Sequence, residues 1–346
     1  MPYQVELRFD ADSRLAETHT NLSAVRADGP GLWVAGDETA TIEHLIHTDG
    51  HYGDQRGFAL GDFVDLPAGR DQEADIEGIG RDGGWLWAVG SHSLKRKRVK
   101  SADQDRARKR LATVVREENR FILVRLPLVG EGTARVTPVR RDGERTAAIL
   151  AGPGRNLADM LARDPHLAPF LALPGKDNGL DIEGIAVRGD RVFLGLRGPV
   201  LRGWAVLLEI RPQTHPAHPH RLRLAPLGED PYRTHFLNLG GLGIRDLCPH
   251  GDDLLLLTGP SMSLDGPVRL VRWRGALVAD VPAVLTAADL EVIADLPYGE
   301  GCDHPEGLAV IGEGDAERLM VVYDSPAPGR HTPEGGVYAD VIELRT

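Results

Sequence analysis

Asp75 and Glu77 stand in the pentapeptide DIEGI, and Asp181 and Glu183 stand in a second, identical copy. A related HPEGL carries His304 and Glu306. Carboxylates crowded together repel, so they must bind a cation, pair with bases or take up protons. Hard oxygen ligands suit calcium or magnesium, which combine carboxylates with carbonyls and water. Asp75, Glu77, Asp181, Glu183 and Glu306 are therefore the candidate metal ligands. A Ca2+ or Mg2+ ion held there would polarise a phosphoryl or carbonyl oxygen and activate water. His92 and His304 are the candidate acid–base groups, because an unperturbed imidazole titrates near ~6.5. Arg245 occupies the position where a Glu would be expected, and it joins them as a candidate catalytic group. No organic cofactor is expected.

A structural reading competes with this one. An acidic residue at the start of a channel-lining strand can bond the backbone of the next repeat and lock the two together. Identical copies suit that role, since catalytic residues usually break symmetry.

The second chemical feature is the run SHSLKRKRVK at 91–100. Lys95, Arg96 and Lys97, with Arg197 at a neighbouring strand end, are the candidate substrate-binding residues for a small anionic ligand. Arg98, Lys100, Arg106, Arg108, Lys109 and Arg110 extend the basic arm. The 95–110 arm also suits nucleic acid, although few aromatics accompany it for stacking on single strands. The bland alternative is a solvated loop and helix face. HTDGHYGD, 47–54, has His and Asp at no zinc spacing and reads as a polar hairpin.

The elements that must position these residues come from a repeat. A polar opening, a small residue, an apolar strand, a turn and a second apolar strand recur from Asn21, Asp75, Asp181, Gly243 and His304. The period is about 50–60 residues, except between Asp75 and Asp181, where it is about doubled. That interval holds two helix-like insertions, about 95–119 and 152–174, the first rich in helix formers and the second with Leu157, Met160, Leu161 and Leu167 at roughly helical spacing. Third and fourth strands are expected at 41–48 and 58–66, 120–128 and 134–141, 204–212 and 221–227, and 268–275 and 290–297. The last repeat has only 338–345. The alternating QVELRFD near the N-terminus supplies its missing strand, which closes the first repeat onto the last and removes an open edge.

Four antiparallel strands per repeat predict an all-β fold, a β-propeller of five four-stranded blades. Six would follow if residues 130–180 hide a degenerate blade. Residues 1–346 then form one domain. The strand starts gather at one mouth of the channel, and the second strands return to it at Asp37 and Glu38, Ser91 and His92, Arg197, Ser261, and Asp324 with Ser325.

Composition narrows the classes. Gly 41 and Pro 24 favour many turns, and a net charge of −11 means the whole surface does not attract nucleic acid. Two cysteines, Cys248 and Cys302, are too few for a disulfide framework or a Cys-rich zinc site. No stretch reaches the ~18 apolar residues of a membrane helix, and the start lacks a signal pattern. A cytoplasmic protein without membrane attachment is expected.

DIEGIGRDGGWLWAVGSHSLKRKR, the second DIEGIAVRGDRVFLGLRGP and HPEGLAV together resemble a bacterial family of unknown function, over most of the chain. The acidic strand starts also resemble, more loosely, esterase-like phytase propellers and calcium-binding lactonase-type propellers. That likeness implies a hydrolase with a channel metal at Asp75, Glu77, Asp181, Glu183 and Glu306. Arg245 and Ser23 depart from it, so a full ring of ligands is not present. The expected function is divalent-metal-dependent hydrolysis of an anionic phosphoester or ester. The alternative is a non-catalytic propeller binding a protein, a small ligand or nucleic acid.

Overall fold

The computed structural model describes residues 3–344 apart from 101, 131 and 134. Strands dominate, and they pair into four-stranded antiparallel units. Unit one is Leu22–Asp28, Gly31–Gly36, Thr41–Thr48 and His51–Ala59. Unit two is Ile76–Asp82, Trp85–Gly90, Leu123–Val129 and Ala148–Leu150. Unit three is Asp181–Arg188, Arg191–Gly198, Trp204–His215 and Arg233–Asn238. Unit four is Gly243–His250, Asp253–Gly259, Val268–Trp273 and Glu291–Leu296. Unit five is His304–Ile311, Arg318–Asp324 and Gly336–Glu343, completed by the N-terminal strand Tyr3–Arg8.

The inner strands pack on one another in chain order, and that of unit five returns to that of unit one. Each interface between consecutive units is filled by its own apolar cluster. The run DLLLLTG shows how the sequence achieves this. Successive side chains of a strand point to opposite faces. Leu254 and Leu256 therefore enter the cluster shared with unit three, and Leu255 and Leu257 the one shared with unit five. A strand buried on both faces reads as a continuous apolar run. The architecture is all-β and of propeller type.

Close packing of inner strands needs small residues. A Cβ on Gly184 would lie 2.9 Å from the backbone of Asp246 and Leu247 in the next unit. A Cβ on Gly307 would lie 3.0 Å from the Val25 nitrogen in unit one. Gly184→Ala is thus expected to cost about 1–3 kcal/mol in chemical denaturation, the usual cost of overpacking. Gly329→Ala, at a site with open space around it, serves as the near-neutral control. Equal midpoints for the two would refute the packing role.

Arg26 occupies the axis. Its Nε donates to the Ile79 carbonyl at 3.0 Å and its guanidinium nitrogens to Leu308 at 3.1 Å, Ile185 at 3.4 Å and Leu247 at 2.7 Å. One side chain from unit one therefore bonds the inner strands of all four other units. Asp246 lies 3.4 Å from the same guanidinium and accepts from the Leu308 and Leu247 amides, both at 2.7 Å. Burial pushes the Asp246 carboxyl up to about 7, against the pull of Arg26 and of those amides.

Three outer strands differ from expectation. The fourth strand of unit one is His51–Ala59 rather than 58–66. Asp49 and Gly50, with φ of 47° and 84°, turn the chain directly after Thr48, as a tight hairpin requires. In unit two the outer strand is Ala148–Leu150; of 134–141 only Thr137–Pro138 pairs, and Ala134 lies outside the described residues. In unit three His218–Ala225 forms, but it pairs with the far end of the long strand, and Arg233–Asn238 takes the place beside its start. The first insertion contains the helix Gln104–Ala112, with Ser101 outside the described residues; the second contains only Leu157–Met160 and short 3-10 turns. No helix among the described residues is long and apolar enough to cross a membrane.

Candidate functional site

All five inner strands carry the same irregularity. The register slips between Leu22 and Ala24, Ile76 and Gly78, Ile182 and Gly184, Ile244 and Asp246, and Pro305 and Gly307. The extra residue in each is Ser23, Glu77, Glu183, Arg245 or Glu306. A bulge of this kind re-aims a side chain and is common beside functional sites. It explains why Ile76 and Ile79 fall out of step in the sequence, and it sets these five residues apart from the regular alternation.

Arginines answer part of the acidic ring. Arg197 donates to Glu183 at 2.7 Å, and Arg245 reaches Glu183 at 2.9 Å on one side and Glu306 on the other. This chain spans units three, four and five. Arg120 pairs with Asp75 and is held by the hydroxyls of Ser91 at 3.2 Å and Ser93 at 3.1 Å. Burial acts first on each arginine and disfavours its charge. The neighbouring carboxylates still hold Arg197 and Arg120 above the ordinary value, whereas burial and nearby Arg197 leave Arg245 below it. Ser23 donates to the Ile76 carbonyl of the next unit, a blade-locking bond of the kind expected for strand starts.

Asp37, Glu77 and Asp181 have no ion pair or side-chain hydrogen bond among the described residues. Burial, reinforced by Asp75 and Asp324, pushes the Asp37 carboxyl up to about 7. Burial and then Glu183 do the same to Asp181, also to about 7. Burial followed by Asp75 and Glu183 raises Glu77 well above the carboxylate range. Ligand atoms of Asp37, Asp75 and Glu77 lie within 4.8 Å of one another, close enough to share one cation. Asp75 holds a left-handed backbone, φ 50°, which L side chains rarely adopt and which is often retained at functional sites.

Beside the ring a cavity of about 460 Å³ opens between units four and five. His304 lines it. Its Nε2 is 3.1 Å from Asp265 and its Nδ1 3.9 Å from Asp324. Asp324 and then Asp265 hold the imidazole above its ordinary pKa, against the effect of burial. Arg197, Arg245 and Glu306 also border the cavity. His92 does not: it is buried edge-on against Phe121, its Nδ1 is 2.8 Å from the Gly90 carbonyl, and burial depresses it to about 4. A neutral, enclosed imidazole of this kind reads as a core histidine.

The basic arm is an ordered flap. Lys95–Arg96 pair with Val114–Val115 on either side of the helix. Lys95 is occupied by Glu73 at 3.5 Å and Glu117 at 3.7 Å, and Arg96 by Asp177 at 2.7 Å. Lys97 is exposed and borders no part of the cavity; Arg98 does, together with Lys176. Asp37 was visible in the sequence as a strand end, without a reason to rank it. Arg120 and Lys176 carried no motif, and only the fold brings them to the mouth.

Residues 21–340 match the model of a family described as "Protein of unknown function (DUF3616)". The chain belongs to the DUF3616 family. No curated protein matches this family member. Among solved structures, the glutaminyl cyclase of Myxococcus xanthus is 8% identical with a TM-score of 0.42, covering 99% of this chain and 96% of that one. The PQQ-bound aldose sugar dehydrogenase of Streptomyces coelicolor is 14% identical with a TM-score of 0.39, covering 99% and 98%. These likenesses say nothing of what this DUF3616 chain binds or does.

Proposed function

We propose that the mouth is a divalent-cation site serving hydrolysis of an anionic phosphoester or ester, set in a propeller whose five units are five blades. The observation that carries this reading is the uneven neutralisation of the ring. Arginines answer Asp75, Glu183 and Glu306, and leave Asp37, Glu77 and Asp181 to hold protons or a cation. Asp37, Asp75 and Glu77 would hold Ca2+ or Mg2+, which would supply a polarised substrate oxygen and an activated water. Glu183 and Glu306, tied to arginines, serve to fix Arg245 beside the cavity. His304 is the candidate acid–base group, since it alone among the ring histidines borders the cavity. The looser likeness to esterase-like phytase and lactonase-type propellers points to the same reaction class.

The test is a phosphatase and esterase screen with Ca2+, Mg2+ or Mn2+ on the chelated, reloaded protein. Cation-dependent hydrolysis is expected, with a loss of about 100-fold or more in Asp37→Asn/Glu77→Gln, in line with removal of a major electrostatic contribution. Hydrolysis that persists in chelator, or that ignores both substitutions, would overturn the reading. A second reading, nucleic-acid binding, rests on the exposed Arg106, Arg108 and Lys109 of the flap helix. It predicts binding that falls steeply with salt, and no shift at low salt would end it.

A further inference from the structure

The protein carries a net charge of −11, yet the cavity between units four and five is bordered by four permanent cations and three carboxylates. Two of the cations are spoken for: Arg197 by Glu183, and Arg245 by Glu183 and Glu306. The remaining carboxylates, Asp265 and Asp324, flank His304. Arg98 and Lys176 are left, and neither makes a side-chain hydrogen bond or ion pair among the described residues.

Their placement is built rather than incidental. The Gly175 amide donates to the Leu94 carbonyl at 3.0 Å, Leu94 bridges Pro174, and the Arg96–Asp177 pair closes the same contact. The Lys97 amide donates to Thr113 at 3.1 Å, and Arg110 donates to the Arg98 carbonyl. The flap and the Gly175–Asp177 turn are thus docked on each other, and each contributes one unpaired cation to the same cavity.

We infer that Arg98 and Lys176 form a phosphate-recognition end of the mouth, for a small phosphorylated ligand. A guanidinium fork takes two phosphate oxygens and an ammonium takes a third as a point charge. A carboxylate has one charge and two oxygens and leaves one donor group unanswered. A cavity of about 460 Å³ lies in the range that holds small ligands. The inference deepens the proposed function and rests on the mouth being the functional site.

Inorganic phosphate is the probe, titrated by calorimetry into the full chain and compared with acetate. Phosphate is expected to bind, acetate not to compete, and Arg98→Ala/Lys176→Ala to weaken binding by about tenfold or more. Arg163→Ala, an exposed arginine that does not border the cavity, should bind as the parent does. No heat at about 10 mM phosphate, an unweakened double variant, or an equal loss in Arg163→Ala would each overturn the inference. Unfolding temperatures of the variants separate a lost site from a lost fold. A cation response retained alongside a phosphate failure would sink this inference alone; a lost cation response with phosphate binding intact would sink only the metal reading.

Discussion

Arg26→Met is expected to destabilise the protein by about 4 kcal/mol or more, because buried acceptors and a buried carboxylate lose their donor together. Four carbonyls, from four different units, converge on this one guanidinium. Methionine keeps much of the length and apolar stem and removes every donor. The fall in Tm should be about 10 °C, given the few degrees per kcal/mol typical of large domains. Arg26→Lys should lie between the two, since one ammonium cannot reach all the acceptors an arginine fork does. Asp246 is the partner left most exposed to the loss, and adding Asp246→Asn to Arg26→Met should recover part of the stability by removing a lone buried acid. A methionine variant within about 2 °C of the parent would show that the axis does not hold the units together.

In chelator, stability should fall as pH rises from about 4 to about 7, and added Ca2+ or Mg2+ should reverse the fall. Asp37 and Asp181 titrate at about 7 in the folded protein, and Glu77 lies well above the ordinary carboxylate range. In the unfolded chain such groups release their protons near pH ~4. Between those limits these groups bind more protons in the folded state, so their contribution to stability is greatest at low pH and is lost as pH rises through their folded pKa values. A cation replaces those protons, so its binding tightens over the same interval. At one fixed cation concentration, about a hundredfold above the Kd at pH 8, the gain in Tm should grow from near zero at pH 5 to about 5 °C or more at pH 8. Asp37→Asn/Glu77→Gln should reduce the decline and abolish the gain, leaving the parts of the decline that belong to Asp181 and Asp246. A cation response that is absent at pH 8, or independent of pH, would remove the case for a metal in the ring.

The acidic mouth and the Arg26 axis lie at two levels of one channel. Ser23 and Arg26 lie three residues apart in unit one. Ser23 marks the bulge at the mouth, and Arg26 fills the axis beneath it. The aligned inner strands carry Glu77, Glu183, Arg245 and Glu306 at the first level, and Gly80, Ala186, Cys248 and Ala309 at the second. Small residues at the second level leave the room that a single arginine occupies.

Much of this was legible in the residues themselves. The repeats, the inner strand pairs, the closing N-terminal strand and the gathering of strand starts at one mouth follow from local patterning, because period-two burial and turn residues act over a few neighbours. The outer strands were less legible: Arg233–Asn238 and Ala148–Leu150 owe their places to pairing across long insertions. What the tertiary structure alone decided is which charges meet. Arg120, Arg197 and Arg245 come from different units, and whether each answers an acid depends on distances that sequence spacing does not encode. The same holds for His92 and His304, alike as residue types and both at strand ends. The fold encloses one against Phe121 and opens the other onto the cavity. Electrostatic pairing falls off over a few ångströms, so only the folded chain determines which carboxylates remain unneutralised.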